Sequence, residues 1–308
     1  MKLTEARTES PLTLQEVEEL VGQIETLPAL PAVLAELMQA MERSASEVDL
    51  NRVIELVSRD ESVAGQCLLM ANSALFGRHA RVETVLEAVI ILGLWRVNDI
   101  VFSCTLPDVF EPFPKSIDRS TFWRHALGCA LLSQRLAQLV RSCSAEKAYL
   151  AGLLHDLGMI VNAALFPVQS TAALEAAAKE ATAFDKAERQ ILGFTHADTG
   201  RMLGQAWNLS PDIVTVLQFH HDLEAAESAK DLVAIVHLSD LFCRERGLGY
   251  GYAESRKIDF TCSPAWLMLV QTCRQMGRPH LTRFFKELEV YFDEVVKFVD
   301  AAFSRPLP

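Results

Sequence analysis

Apolar residues recur at every third or fourth position along most of this chain, and no stretch shows sustained alternation of apolar and polar residues. The segment with Val85, Ala88, Val89 and Leu92 has apolar side chains at positions i, i+3, i+4 and i+7. That spacing places them on one face of an α-helix, whereas a half-buried strand would need a period of two. The sequence therefore predicts an all-α fold of helices joined by short loops.

Prolines divide the helical pattern into two parts. Leu27-Pro-Ala-Leu-Pro31 precedes the helix expected from Val33 to Met41, and a polar loop near the middle of the chain contains Pro107, Pro112 and Pro114. We predict an N-terminal extension (1–19), an N-terminal helical bundle (20–110) and a second helical bundle packed on it (118–222). The C-terminal helices (223–308) follow, and the first of them, ending near residue 245, completes the second bundle.

Composition limits the classes of protein and of partner. Half of the 308 residues are hydrophobic, which is ample material for a core in one large domain or two modest ones. The formal net charge of −11 argues against a nucleic-acid partner, because phosphate contacts need clustered lysine and arginine.

Seven scattered cysteines form no CxxC pair, and we interpret them as small buried hydrophobic residues in a reducing cytosol rather than as a disulfide framework or a zinc site. Their positions are 67, 104, 129, 143, 243, 262 and 273. The polar N-terminus has no apolar signal segment, and the longest apolar run, Val85 to Trp95, is too short to span a bilayer. We therefore expect a cytoplasmic protein that does not bind membranes.

One apolar helix is expected to end in a His-Asp pair. Ser144 is a plausible N-cap, and Gly158 fits a left-handed residue after the last turn, which places His155 and Asp156 in that turn. Unpaired polar groups are costly there. They are explained either by a core histidine bonded to a backbone carbonyl, with Asp156 as a local cap, or by a functional site.

Other helix starts are expected from capping patterns. Ser120 is expected to cap a long helix from Thr121 to Val140. Asp185 to Glu188 and Thr195 to Asp198 both resemble capping boxes, and Ser210-Pro211 begins a further helix.

Five of the eight histidines fall at or near predicted helix ends in the second half of the chain, together with two acids in apolar surroundings. The candidate set is His125, His155, Asp156, His196, His220, His221 and Asp240. Imidazoles and carboxylates are ligands for iron, manganese or zinc, and a pair of such ions could activate water for attack on phosphorus. Spacing alone leaves this open, because adjacent residues such as His220 and His221 point about 100° apart on a helix.

The other three histidines have simpler interpretations. His237 is expected to be a core residue or a hydrogen-bonded neighbour of the site, while His79 and His280 are expected to be solvated. Asn72-Ser73 is interpreted as a helix C-cap with local side-chain hydrogen bonds.

A series of motifs in order along residues 20–222 resembles a known family. They are Leu27-Pro-Ala-Leu-Pro31, Ser58-Arg-Asp60, Met70-Ala-Asn-Ser-Ala-Leu-Phe-Gly77, Ala88-Val-Ile-Ile-Leu-Gly93, Trp123-Arg-His125, Gly152-Leu-Leu-His-Asp-Leu-Gly158, Leu192-Gly-Phe-Thr-His-Ala-Asp198 with Gly200, Trp207 with Ser210-Pro211, and Phe219-His-His221. The second half resembles the HD superfamily of metal-dependent phosphohydrolases. The first half is more specifically similar to the HDOD domain, an output module of bacterial signalling proteins.

The resemblance implies a role for each candidate residue. His125 would be the upstream metal ligand, and His155 with Asp156 the defining pair, with Asp156 bridging two metals. His196, His220 and His221 match the additional histidines of the two-metal branch, the cyclic-dinucleotide phosphodiesterases called HD-GYP, and Asp240 matches the closing aspartate. Many HDOD domains have lost part of this set, whereas this chain retains it.

Three departures from the phosphodiesterase pattern weaken a cyclic-dinucleotide substrate. Met159 stands where those enzymes carry a lysine, and Asp222 stands where a glutamate usually follows the paired histidines. The DGxGYP segment is absent at that place, and we interpret the later Gly249-Tyr-Gly-Tyr252 as a coincidence.

The sequence thus favours a regulatory HDOD signalling protein that acts through a protein partner and retains a divalent-metal site, with one or two ions of iron, manganese or zinc. The alternative is a metal-dependent phosphohydrolase acting on a nucleotide or phosphodiester, and a small phosphorylated ligand is compatible with either function.

Overall fold

In the computed structural model, every regular element is a helix in the part of the chain that the structure describes, which confirms the all-α fold. The described residues are 13–22, 50–72, 81–109, 117–250, 260, 263–272 and 278–302. The helices are α1 (Leu14–Gly22), α2 (Leu50–Arg59), α3 (Glu61–Ala71), α4 (Val85–Val109), α5 (Arg119–Val140), α6 (Ala145–Leu154), α7 (Leu157–Leu165), α8 (Pro167–Glu180), α9 (Phe184–Ile191), α10 (His196–Ala206), α11 (Pro211–Phe219), α12 (Lys230–Glu245), α13 (Pro264–Thr272) and α14 (Arg278–Ala302).

Several predicted features lie outside these residues. They are the Leu27–Pro31 segment, the helix from Val33 to Met41, Pro112 with Pro114, Ser73, His79 and Tyr252. His280 lies in α14, but its side chain is also outside the described part. The side chain of Asn72 bonds the carbonyl of Leu68, as a residue at a helix C-terminus can, and also bonds both backbone groups of Val82.

Helix α5 is the centre of the molecule, and it packs against α4, α6, α12 and α14. It is buried on nearly all sides, because small residues let the neighbouring helices approach its backbone. At Gly152 of α6, a Cβ atom would lie 2.8 Å from the carbonyl oxygen of Cys129. This close packing of α6 on α5 brings His125 near the end of α6.

Helices α2, α3 and α4 pack on one another, and α4 joins them to α5 and α6. Gly93, which directly follows the predicted helical segment from Val85 to Leu92, is a kink inside α4 with φ 75°. Helical backbone resumes and continues to Val109, so Pro107 lies in the last turn rather than in the predicted loop. A proline near a helix end removes only one backbone hydrogen bond.

The helix caps confirm some predictions and contradict others. Ser144 caps α6 by accepting from the N–H of Lys147, and Thr195 forms a capping box with Asp198. Asp118 rather than Ser120 caps α5, because its carboxylate accepts the N–H of Ser120 and the hydroxyl of Thr121.

The predicted capping box from Asp185 to Glu188 is wrong. Helix α9 follows Ala183 without a side-chain cap, and Glu188 points into the interior. Helix α11 starts at Pro211 as predicted, although the Ser210 side chain makes no capping bond.

The prediction for Gly158 is also wrong. Helix α6 ends at Leu154, His155 and Asp156 form a turn, and Gly158 has helical backbone in α7. A Cβ atom at Gly158 would lie 1.8 Å from the carbonyl oxygen of His196 and 2.7 Å from the amide nitrogen of Gly200. Glycine is therefore needed for the close approach of α7 to α10 rather than for a left-handed turn.

One stretch of the described residues, 145–165, is long and apolar enough to cross a membrane. It comprises α6, the His155-Asp156 turn and α7, and 78% of its apolar window is buried inside the protein. A core helix of a soluble protein passes the same test, so this stretch is weak evidence for a membrane span.

Candidate metal centre

The structure brings all seven candidate residues together at the meeting point of five elements. Helix α5 contributes His125, the turn after α6 contributes His155 and Asp156, and α10 begins with His196. His220 and His221 follow α11, and α12 contributes Asp240. All except the half-buried His221 are at most 4% exposed.

The side chains form two adjoining groups that also include one cysteine. The first group is His125, Cys129, His155 and Asp240, and the second group is Asp156, His196, His220 and His221. Within each group, one potential ligand atom from every residue lies within 4.8 Å of the others. Each group therefore has the dimensions of a single-ion site.

Asp156 connects the two groups. Its Oδ2 lies 3.0 Å from Nε2 of His155 and 3.5 Å from Nε2 of His125, both in the first group. Its Oδ1 lies 3.3 Å from Nε2 of both His196 and His220, in the second group. One carboxylate thus faces both groups, which is the placement of a bridging ligand.

Backbone carbonyls fix the orientation of three imidazoles. Nδ1 of His155 lies 2.8 Å from the oxygen of Gly152, and Nδ1 of His125 lies 2.5 Å from that of Leu248. Nδ1 of His220 lies 3.1 Å from two carbonyls of α11. Because a carbonyl can only accept, each Nδ1 carries the hydrogen, and Nε2 presents a lone pair to the cluster when the ring is neutral.

Glu188 plays the same role for His196 and was missed by the sequence analysis. Its Oε2 accepts both the backbone N–H and Nδ1–H of His196, and its Oε1 accepts a hydrogen from the amide of Asn162. A signal was present, because Glu188 shares a helical face with the apolar residues Phe184 and Ile191. The Glu188 carboxylate therefore holds the ring of His196 by Nδ1, so that Nε2 faces the cluster.

Nitrogen and oxygen atoms that can accept a hydrogen bond face one another across the cluster. The distances between them show whether a cation fits among them. Nε2 of His155 is buried and has no hydrogen-bond partner among the described residues. Nε2 of His196 lies 3.2 Å from that of His220 and 3.0 Å from that of His221. Two ligands about 2.1 Å from one ion, at angles of about 90–110°, would be about 3.0–3.4 Å apart. The donor set therefore fits divalent metal.

The pKa shifts of three candidate ligands favour the deprotonated forms that bind a cation. Burial raises the pKa of Asp156, but contacts with His155, His196 and His220 bring it well below its usual value, so the carboxylate is ionised. Burial, together with His220 and His196, lowers the pKa of His221 well below its usual value. Burial also lowers the pKa of His220.

Two imidazole rings, those of His196 and His125, carry extra positive charge in the protein without metal. Burial opposes protonation of His196, but Glu188 and Asp156 raise its pKa well above the usual value. Burial also lowers the pKa of His125, but Cys129 and Asp240 raise that pKa well above its usual value. Protons at these rings occupy the place that a metal ion would take, since ligands must be deprotonated to bind metal.

Three further residues border the cluster. Nδ1 of His237 lies 2.6 Å from the carbonyl oxygen of His220, which confirms it as a hydrogen-bonded neighbour. Arg244 forms a 2.7 Å ion pair with Oδ2 of Asp240. The hydroxyl of Tyr250 donates to Oδ2 of Asp156 at 2.7 Å, a contact that the sequence analysis did not predict.

The positions that depart from the phosphodiesterase pattern lie away from the ligand atoms. Met159 is buried in the core, and Asp222 is exposed and accepts from the N–H of Ala225.

Burial and the neighbouring thiol of Cys243 raise the pKa of Cys129 well above its usual value.

Comparisons with known proteins agree with this architecture. A structure from Geobacter sulfurreducens, described as an HDOD domain protein with unknown function, matches with a TM-score of 0.81 and 25% identity over 94% of this chain and 98% of that one. A proposed signal transduction protein from Marinobacter aquaeolei VT8 has a TM-score of 0.71 and 20% identity over 99% of this chain and 64% of that one. A proposed phosphohydrolase from Shewanella amazonensis SB2B has a TM-score of 0.68 and 21% identity over 93% of this chain and 97% of that one. The last two likenesses show the fold alone.

A sequence relative in Treponema pallidum (strain Nichols), an uncharacterised protein, is 27% identical over 227 residues. That match covers 73% of this chain but 44% of the relative, so this chain spans less than half of the relative's length. The sequence profile of the HDOD domain matches residues 27–223, which is more than half of this chain and includes every candidate ligand except Asp240. The all-helical fold and this match lead to one conclusion: the chain belongs to the HDOD family.

Proposed function

We propose that this chain is a signalling protein of the HDOD family that holds a pair of divalent metal ions in its His/Asp cluster and acts by binding another protein in the cytoplasm. The observation that carries the proposal is the position of Asp156, whose two oxygens face different groups of ligand atoms. Imidazole and carboxylate ligands make iron, manganese and zinc the candidates. Two of the similar structures are described as an HDOD domain protein and a proposed signal transduction protein, which supports the signalling role.

Two contacts and one buried residue favour a regulatory centre over a catalytic one. The hydroxyl of Tyr250 already bonds Asp156, at the carboxylate that faces both groups. The guanidinium of Arg244 is engaged by Asp240 instead of being available for a phosphate. Met159, which follows the His-Asp turn, is 1% exposed and offers no charge. These residues leave the centre enclosed and without a dedicated phosphate-binding cation among these neighbours.

The first test is the metal content of untagged protein purified without added metal. Wild-type protein is expected to contain iron, manganese or zinc, and Asp156→Ala is expected to lose it, because both groups share that carboxylate. Asp185→Ala, which changes an aspartate outside the cluster, is the matched control and should retain the metal. A folded wild-type protein that binds none of these metals, even when they are supplied, would overturn the proposal.

The second candidate function is hydrolysis of a phosphodiester, and the complete two-group arrangement around Asp156 favours it. Two of the similar structures are described as proposed phosphohydrolases. Metal ions bound in this way supply a Lewis acid and a hydroxide at neutral pH. The chain's own residues would hold the ligands in place, with Glu188 and the backbone carbonyls orienting the imidazoles.

A simple phosphodiester such as bis(p-nitrophenyl) phosphate separates the two functions. The regulatory proposal expects metal-loaded wild-type protein to show no turnover above that of Asp156→Ala. Turnover that depends on both the metal and Asp156 would favour the hydrolase.

A further inference from the structure

We propose that Cys129 is a metal ligand, so that the first group binds its ion through His125, Cys129, His155 and Asp240. This inference rests on the proposed metal centre and adds a thiolate to it. It also makes the two halves of the centre chemically different. The second group consists of Asp156 and three imidazoles, whereas the first group offers sulfur, nitrogen and oxygen.

The geometry of α5 places the thiol beside its neighbouring ligand. Cys129 follows His125 by four residues, so both side chains lie on the same helix face. Sγ lies 3.4 Å from Nε2 of His125 and 3.9 Å from its Nδ1, and the cysteine is fully buried. Sulfur about 2.3 Å and nitrogen about 2.1 Å from one zinc ion, at angles near 100–110°, would be about 3.4–3.6 Å apart. The observed separation agrees with a shared ion.

His155 provides an independent observation at the same place. Its ring is fully buried, and Nδ1 is directed to the Gly152 carbonyl. Nε2 has no hydrogen-bond partner among the described residues, and the nearby atom is a carboxylate oxygen of Asp156 at 3.0 Å, itself a ligand atom for a cation. That nitrogen belongs to the same group of ligand atoms as Sγ of Cys129 and a carboxylate oxygen of Asp240. A buried acceptor without a donor is costly, and a cation at this point would satisfy it together with the thiol.

The charges of the first group balance a dication when the thiol is coordinated. Metal binding deprotonates a coordinating thiol, and the released proton passes to solvent. The thiolate and the Asp240 carboxylate then contribute two negative charges, while His125 and His155 act as neutral ligands. Thiolate ligands select zinc or iron over manganese and magnesium. The first group is therefore expected to bind zinc or ferrous iron.

Cobalt(II) substitution tests the thiolate directly. Metal-free full-length protein is titrated with cobalt(II), and thiolate-to-cobalt charge-transfer absorption is measured in the near ultraviolet. Wild-type protein is expected to show the band. Cys129→Ala should lose it while still binding cobalt through the second group. Cys243→Ala is the matched control, because Cys243 is a fully buried thiol next to Cys129 but outside the group, and it should retain the band.

Cobalt bound by wild-type protein without the band, or a band that survives in Cys129→Ala, would overturn the assignment of Cys129 and leave the metal centre standing. A wild-type protein that binds no cobalt, zinc or iron would overturn the proposed function as well. If Cys129→Ala does not fold, zinc-edge X-ray absorption of the wild-type protein decides the question. A sulfur scatterer about 2.3 Å from zinc is expected, and a shell of nitrogen and oxygen alone would contradict the proposal.

Discussion

Glu188 is a single buried carboxylate that satisfies three donors behind the candidate metal centre. One oxygen accepts from the backbone and ring of His196, and the other accepts from Asn162. The hydroxyl of Thr199 in turn donates to the amide oxygen of Asn162. Because these hydrogen bonds hold the Glu188 carboxylate in one position, the ring of His196 has one orientation available to it.

Replacing Glu188 by glutamine should therefore weaken both the fold and metal binding. An amide cannot accept at both positions, so one buried donor faces another donor, at a cost of about 1–3 kcal/mol in the free energy of unfolding. Loss of such an orienting partner typically costs about 10–100-fold in metal affinity. Urea unfolding and a competition titration with a chromophoric chelator measure the two effects.

The exposed Glu175 of α8 offers the control for this prediction. Glu175→Gln should change the unfolding free energy by less than about 0.5 kcal/mol and leave the metal affinity unchanged. Equal behaviour of the two variants would show that Glu188 does not position His196.

The sequence named all seven His and Asp residues of the cluster but not the residues that support it. Glu188 was assigned to a capping box because Asp-x-x-Glu fits that pattern as well as an inward-facing carboxylate. Tyr250 could not be found, since its contact with Asp156 spans 94 residues and depends on the path of the chain after α12. Cys129 was correctly expected to be buried, but its neighbours depend on the packing of α5 against α6 and α12.

At the scale of elements, the contact between α7 and α10 fixes the distance between the Asp156 turn and His196. A side chain at Gly158 would overlap the carbonyl of His196 and the amide of Gly200, both of which are backbone atoms that cannot rotate away. The two helices would have to separate. His196 begins α10, so this separation would move a candidate ligand away from Asp156.

Gly158→Ala should consequently destabilise the protein by about 1–3 kcal/mol or more, as overpacking does, and reduce its metal content. Thermal unfolding and metal analysis of the purified variant provide the measurement. Gly65→Ala is the control, because Gly65 is an exposed glycine within α3 and a Cβ atom there would have no neighbour within 4 Å. Alanine should stabilise that helix by about 0.5–1 kcal/mol. A neutral Gly158→Ala would contradict the close packing.

Helix positions were more predictable from the sequence than helix ends. The apolar periodicity that predicts α5 and α12 comes from local spacing, which the sequence contains directly. The end predicted at Gly158 was wrong because glycine serves either a left-handed turn or a close helix contact, and the sequence alone does not distinguish them. Asp118 replaced Ser120 as a cap for a similar reason, since both residue types are good caps.

At the scale of the whole molecule, the candidate ligands come from α5, the turn after α6, α10, the end of α11 and α12. These elements span residues 125 to 240, so bound metal would link segments that are distant in sequence. Metal that binds the folded chain but not the unfolded chain stabilises the fold by mass action. The packing of α5 against α6 and α12 would be held by coordination as well as by apolar contact.

Removal of metal by a chelator should therefore lower the melting temperature. At a free-metal concentration of 100 times the dissociation constant, the stabilisation is about 2.7 kcal/mol, which corresponds to about 4 °C for a chain of this size. Differential scanning calorimetry with and without restored zinc or iron measures the shift, and Asp156→Ala should show none. A wild-type protein that binds metal yet melts at the same temperature would show that the unfolded chain binds the metal equally well.

The shared carboxylate of Asp156 couples metal binding in the first group of ligands to metal binding in the second group. An ion at Oδ2 would hold the carboxylate plane in place for an ion at Oδ1, while the two positive charges repel each other across the same residue. Occupancy of one half must therefore alter the affinity of the other, and by the same factor in both directions. A binding isotherm of this protein should depart from that of two independent sites, and replacing Asp156 should abolish the cooperativity together with the binding.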